Sequence, residues 1–294
     1  MAGWETGRQL AVGTTMRGAT PLAAALAIAT LSGCGPPAGH SGPPTAPLET
    51  AGVPTPSAAL VAASPVTVSA ALPSPTVPPD GALPAPPLVG TEWIRLPTSR
   101  TVVALTFDSG GDAGGAQSIL STLATAKAPA TFFLTGRWVE LFPDVAREIA
   151  AAHAIGNHTY GHARLPPLTD EDVQGEIERG EAMIWSVTGQ DPRPPFRFPF
   201  GDRDARTIAA INRGRYGSIR WTIDTLGWMG RSRGESVDSI VARVVERLEP
   251  GAIILMHVGA TPADRSTLDA DALPRVIAAI RARGYEIVAL RDFL

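Results

Sequence analysis

The sequence predicts a parallel α/β domain over residues 90 to 294, and three observations carry that expectation. From Thr98 onward, short β-rich runs alternate with helical patterns six or seven times, as when crossover helices join neighbouring parallel strands. Chemistry-bearing side chains fall just after those runs, where parallel architectures gather function. The preceding stretch, residues 35 to 89, holds fifteen of the chain's 28 prolines and only two charged side chains, Glu49 and Asp80. Without helical or strand periodicity it buries too little apolar surface to offset ordering. About 200 residues remain for one core, enough to bury roughly 70% of the unfolded chain's surface.

The elements follow in order. A strand over Thr101–Phe107 leads to a helix over Ala116–Ala126, then a strand over Ala130–Leu134 and a helix over Pro143–His153. The strand Ala154–Asn157 precedes a helix over Asp170–Thr188, which Thr169 caps ahead of an acidic first turn. Phe196–Phe198 is extended, Asp204–Asn212 helical, and Gly217–Thr222 extended. Ser236 caps a helix over Val237–Leu248, followed by a strand at Ala252–Met256, a helix at Leu273–Arg283 and a strand at Tyr285–Ala289. Periodicity alone leaves both a closed barrel and an open doubly wound sheet in play.

With 25 basic and 28 acidic side chains the net charge is −3, which offers no field to concentrate a nucleic-acid backbone. No nucleic-acid partner is expected, and no protein partner is predicted. The sole cysteine, Cys34, excludes an internal disulfide and any multi-cysteine metal site. Arg17, an uncharged stretch from Pro21 to Leu31, and the small residues Ser32 and Gly33 precede it, which is the layout of an export signal. Met16 is an alternative start. Leu31-Ser32-Gly33-Cys34 also resembles a bacterial lipobox, in which the cysteine is lipidated and begins the mature chain. The expected organisation is a lipoprotein signal over 1–34, a Pro/Ala/Ser-rich linker over 35–89 and a catalytic domain over 90–294. The linker would reach about 170 Å at ~3.1 Å per residue if wholly polyproline-like, enough to hold an enzyme off the outer face of the cytoplasmic membrane and into the wall.

Asp108 follows the first strand of the domain, His158 and His162 the third, Asp224 and Trp228 the fifth, while Arg197 lies in the fourth and His257 ends the sixth. Seven such residues at five strand ends make coincidence a poor account. Thr106-Phe107-Asp108-Ser109-Gly110, His158-Thr159-Tyr160-Gly161-His162, Arg197-Phe198-Pro199-Phe200-Gly201, Asp224 with Trp228, and Leu255-Met256-His257 resemble, in order, the five motifs of the polysaccharide deacetylase family. This is the NodB-homology domain of carbohydrate esterase family 4. The resemblance spans about Thr101 to Leu294 and implies a distorted (β/α)7 barrel, a zinc-like divalent metal ion, and hydrolysis of acetyl groups on sugars.

Amide hydrolysis needs a polarised carbonyl, an activated water and a proton for the departing amine. His158 and His162, four apart, can turn two imidazoles toward one cation, and neutral nitrogen donors suit zinc, cobalt or nickel. Within the resemblance Asp108 is the general base and His257 the general acid. Arg197 holds Asp108 ionised, and Phe200, Trp228 and Leu255 form the substrate groove. Two positions depart from the family pattern. Ser109 stands where members carry a second, metal-ligating aspartate, and in the glycine-rich loop that follows, Asp112 is the expected third ligand. Gly227 stands where many members carry an aspartate that orients the acid histidine, and Asp224 is expected to reach His257 instead. Asn157 and Thr159 are expected to hold the histidine turn.

Two functions follow. One is an exported, membrane-anchored hydrolase that removes acetyl groups from N-acetylated amino sugars of a cell-wall polysaccharide, with peptidoglycan the nearest polymer. The alternative is a catalytically lapsed, membrane-anchored carbohydrate-binding protein.

Overall fold

A computed structural model describes residues 90–294; the signal segment, Cys34 and the proline-rich linker lie outside the described residues. The strands are β1 (Glu92–Trp93), β2 (Val102–Asp108), β3 (Thr131–Leu134), β4 (Ala154–Asn157), β5 (Pro195–Phe196), β6 (Gly217–Ile219), β7 (Ile223–Asp224), β8 (Ala252–His257) and β9 (Glu286–Val288). The α-helices are α1 (Ala116–Ala126), α2 (Gly136–Leu141), α3 (Pro143–Ala152), α4 (Asp170–Thr188), α5 (Ala205–Arg213), α6 (Val237–Arg247) and α7 (Leu268–Ala282).

The strands run β1-β6-β5-β4-β3-β2-β8-β7 across one sheet, with β9 also on β2, and every strand pair is parallel. β8 pairs along residues 103–108 of β2, whereas β3 pairs with 106–108 and β9 with 102–104. β3 and β9 therefore share one edge of β2, opposite β8. Between the outer strands β1 and β7, irregular backbone completes the ring: Arg95 bridges Ala252, and Leu96 N–H donates to Gly251 O. The result is a distorted (β/α)7 barrel.

Strand alternation sorts the two faces of the sheet. Val103, Leu105 and Phe107 of β2, with Ala252, Ile254 and Met256 of β8, join the large cluster that contains Ile119, Leu123, Val276 and Ile280 of the helices. Ala104 and Ile253 pack inward with Phe133, Ile219 and Leu290 in a second cluster. Further along that inner face come Thr106 and Asp108 from β2, and Leu255 and His257 from β8. An apolar plug thus lies under a polar mouth at the carboxyl ends of the strands.

Three differences from the sequence expectation have physical causes. Gly217–Thr222 is not one strand: Arg220 N–H turns to Trp93 O and Thr222 N–H to Ile253 O, while Arg197 takes the carbonyls of Ile219 and Arg220. The last helix begins at Leu268 rather than Leu273, with Pro274 inside it. α2, β1 and β7 went unpredicted because they are short; α2 starts on glycine and is fixed by Thr135 accepting from Trp138 N–H at 3.2 Å.

Candidate active site

Asp108 ends β2 and Arg197 follows β5, and both are buried. The guanidinium donates from Nη1 to Asp108 Oδ1 at 2.7 Å and to Thr106 Oγ1 at 3.0 Å, from Nε to Ile219 O at 3.2 Å, and from Nη2 to Arg220 O at 3.0 Å. Its flat face lies 4.0 Å from the centre of the Phe133 ring. Burial pushes the Asp108 carboxyl up, but Arg197, His158 and His257 more than offset it and hold the group below the ordinary carboxylate value. Asp108 is therefore kept ionised where an isolated buried acid would be neutral.

His158 and His162 form the second cluster, on the turn after β4. Asn157 Oδ1 accepts from Thr159 N–H at 2.9 Å, and Thr159 Oγ1 from His162 N–H at 3.0 Å. α4 lies against this turn because residue 180 is glycine; a Cβ there would sit 2.7 Å from Asn157 Oδ1. The rings meet edge to face, centroids 4.9 Å apart. Arg197 O lies 2.7 Å from His158 Nδ1, and a carbonyl can only accept, so Nδ1 carries the proton and Nε2 presents a lone pair. That lone pair faces Asp108 Oδ2 at 3.5 Å. Burial drives both imidazoles down, His162 to about 4, and keeps them neutral at ordinary pH. Two neutral nitrogens beside an anionic oxygen fit a borderline divalent cation. Among the described residues, however, no group of three His, Cys, Asp or Glu side chains is arranged to hold one.

The structure corrects the expected third ligand. Asp112 Oδ1 accepts from the N–H groups of Gly114 and Ala260, both at 2.8 Å, and Oδ2 pairs with Arg265 at 2.7 Å. Its carboxylate ties the 110–115 loop to the segment after β8 and is committed there. Ser109 stays buried beside Asp108, its Oγ accepting from Thr135 N–H at 2.9 Å.

The expected partner of His257 is corrected as well. Asp224 Oδ1 accepts from Leu226 N–H at 2.8 Å, closing its own turn, and no ion pair joins it to His257 within 4.0 Å. Asp269, from the first turn of α7, lies there instead. Its Oδ2 accepts from His257 N–H at 2.9 Å and sits 3.4 Å from His257 Nδ1. Burial lowers His257, but contact with Asp269 and the charges of Asp269, Asp108 and Asp224 raise it above the usual imidazole value. Sequence reasoning missed Asp269 although a signal existed: spaced with Ala272, Leu273, Val276 and Ile280, it is a carboxylate on an apolar helix stripe, and a buried charge there requires a partner.

Phe200 and Trp228 are 58% and 47% exposed, unusual for large apolar side chains. Phe200 lies edge to face with His162, centroids 4.6 Å apart. Leu255, by contrast, is buried, on the inner face it shares with His257. Of the seven non-glycine residues with positive φ among the described residues, four (Thr159, His162, Phe200 and Leu226) stand in the turns of this mouth. Such backbone costs of order 1 kcal/mol or more per residue and collects at functional sites.

The family model for polysaccharide deacetylase matches residues 95–217. Over 195 residues the chain is 32% identical to the peptidoglycan-N-acetylglucosamine deacetylase of Bacillus cereus, covering 66% of this chain and 68% of that one. It is 32% identical over 197 residues to the chitooligosaccharide deacetylase of Rhizobium leguminosarum bv. trifolii, covering 64% and 89%. Among solved structures it is similar to a carbohydrate esterase family 4 pseudoenzyme from Bacillus anthracis, with a TM-score of 0.60 at 27% identity over 66% of this chain and 65% of that one. A mutant of that pseudoenzyme with restored enzymatic activity gives a TM-score of 0.60 at 28% identity, over 66% of this chain and 67% of that one. With five ordered motifs gathered at one mouth and relatives of this kind, the chain belongs to the polysaccharide deacetylase family.

Proposed function

We propose that the protein is a hydrolase that removes acetyl groups from N-acetylated amino sugars of a cell-wall polysaccharide, with peptidoglycan as its polymer. The observation that carries this reading is the pairing of a buried, ionised Asp108 with a raised, partly open His257 across one mouth. One acid and one base whose environments push them in opposite senses suit amide hydrolysis near neutral pH. Asp108 takes a proton from the attacking water, and Arg197 keeps that carboxylate ionised between turnovers. His257 gives a proton to the departing amine nitrogen. Phe200 and Trp228 offer apolar walls to the sugar ring. A divalent, zinc-like cation held by His158 and His162 would supply Lewis acidity at the acetyl carbonyl.

A second reading, a lapsed carbohydrate-binding protein, is favoured by one observation: among the described residues no third His, Cys, Asp or Glu side chain is arranged with the two histidines to hold a cation. Acetate release from chitooligosaccharide or muropeptides, measured with zinc, cobalt or nickel supplied, decides between them. Release abolished by Asp108→Asn supports the enzyme; sugar binding without acetate under every cation supports the binder. We further propose that Cys34 anchors the protein by lipid to the outer face of the cytoplasmic membrane, so Cys34→Ala should move it from the membrane to the soluble fraction.

A further inference from the structure

We propose that Asp269 is the positioning residue of His257, and that glycine at 227 is the space this carboxylate requires. The inference rests on the acid role assigned to His257 above and names what aims that acid. A Cβ built on Gly227 would lie no farther than 2.7 Å from Cγ, Oδ1 and Oδ2 of Asp269. A side chain at 227 and the Asp269 carboxylate are thus mutually exclusive. The position just before Trp228, where the sequence lacks an acid, is not empty: a carboxylate from a different element fills it.

The carboxylate is held on both oxygens. Thr225 Oγ1 lies 2.6 Å from Oδ1, and His257 N–H donates to Oδ2 at 2.9 Å. Asp269 is buried in the first turn of a 15-residue helix, where the helix dipole favours negative charge. His257 Nδ1 is buried and makes no hydrogen bond of ordinary geometry; Asp269 Oδ2, at 3.4 Å, is the group it faces. A proton on Nδ1 is drawn to that oxygen, so Nε2 becomes the atom that delivers the proton outward. The other charged groups facing His257 are Asp108 from β2 and Asp224 from β7, with His158 and His162 across the mouth. Asp108 pairs with Arg197 and Asp224 Oδ1 closes its own turn; Asp269 is the carboxylate that lies within 4.0 Å of a His257 ring nitrogen.

The test uses the full chain and two independent readouts. Asp269→Asn should lower kcat about 10- to 100-fold with KM nearly unchanged, and should move the alkaline limb of kcat/KM to lower pH. Gly227→Ala, which displaces the carboxylate without removing it, should do the same and carries the test if Asp269→Asn does not fold. The exchange variant Gly227→Asp with Asp269→Ala should recover activity to within about tenfold of the parent. Histidine NMR on the same proteins should show a Nδ1-protonated His257 whose titration falls in Asp269→Asn. An unmoved His257 titration overturns the proposal, as does an alkaline limb no different from that of Asp271→Asn, which changes an exposed acid of the same helix paired with Arg231. A parent that shows the NMR pairing but releases no acetate overturns the enzyme reading and leaves the pairing standing.

Discussion

Asp108, Arg197, His257 and Asp269 come from four separate segments of the chain, and each has its charge answered by another of the set. His158 and His162, a few ångströms away, come from a single turn, carry no charge at ordinary pH, and have a hydroxyl rather than a carboxylate at the neighbouring position 109. The proton-handling half of the mouth is fully wired, while the two histidines of the cation half are neutral donors whose one neighbouring carboxylate, Asp108, is already paired with Arg197. A cation's desolvation is offset chiefly by anionic ligands, so the two halves can vary separately: a chain of this family can keep its acid and base while its hold on the metal weakens.

The largest expected effect lies in the wired half. Asp108→Asn should reduce acetate release by about 10²- to 10⁴-fold. It should also destabilise the domain by about 3 kcal/mol or more, because the buried Arg197 cation loses its counter-charge. Acetate assays and thermal melts together check this; a melt unchanged from the parent would break the picture of an interlocked pair. In the under-supplied half, Ser109→Asp should tighten zinc binding by about tenfold or more, roughly 1.4 kcal/mol, read by calorimetry. Equal affinities for parent and variant would mean that the cation half already holds its full donor set.

What the sequence made legible divides along the same line. His158 and His162 share one turn and are visible as a local motif, and Asp108, Arg197 and His257 stand at the ends of readable β-rich runs. Asp269 was hidden because its partner is tertiary: it lies in a first turn that Pro274 made to look like loop. Asp112 and Asp224 read as functional by proximity in sequence, yet backbone N–H groups capture both, that of Leu226 for Asp224 and those of Gly114 and the distant Ala260 for Asp112. A short acidic side chain beside a turn binds its own backbone readily, and a single sequence does not show which acid does so. The core strands were legible from their apolar runs; the break after β6 was not, because it depends on Arg197 drawing two carbonyls inward.

The pH profile sharpens the comparison further. The proposed acid role requires a protonated His257, which sits above the usual imidazole value, so activity should fall as pH rises through a value above 6.5. Asp108 lies below the ordinary carboxylate value, and His158 and His162 lie below the usual imidazole value, His162 near 4, so with cation in excess the acid limb should fall below pH 6.5. Measured as kcat/KM on chitooligosaccharide, an acid limb near 6.5 would show that the histidines take up protons as freely as exposed ones, contrary to their burial.

The smallest expected effect separates a ligand from a brace. Asp112 was the one carboxylate near enough in sequence to complete the cation half, and its placement gives it other work. It joins the 110–115 loop to Ala260 and Arg265, while its own carbonyl accepts from Trp138 Nε1 at 2.9 Å. Asp112→Ala removes two charge-assisted backbone hydrogen bonds and an ion pair with an exposed arginine; the pair contributes little and the hydrogen bonds more. The expected cost is about 1–2 kcal/mol of stability, with zinc stoichiometry and affinity unchanged, checked by melting and by metal analysis of the two purified proteins. A fall in bound zinc without loss of stability would return Asp112 to the cation half and bring the two halves closer to parity.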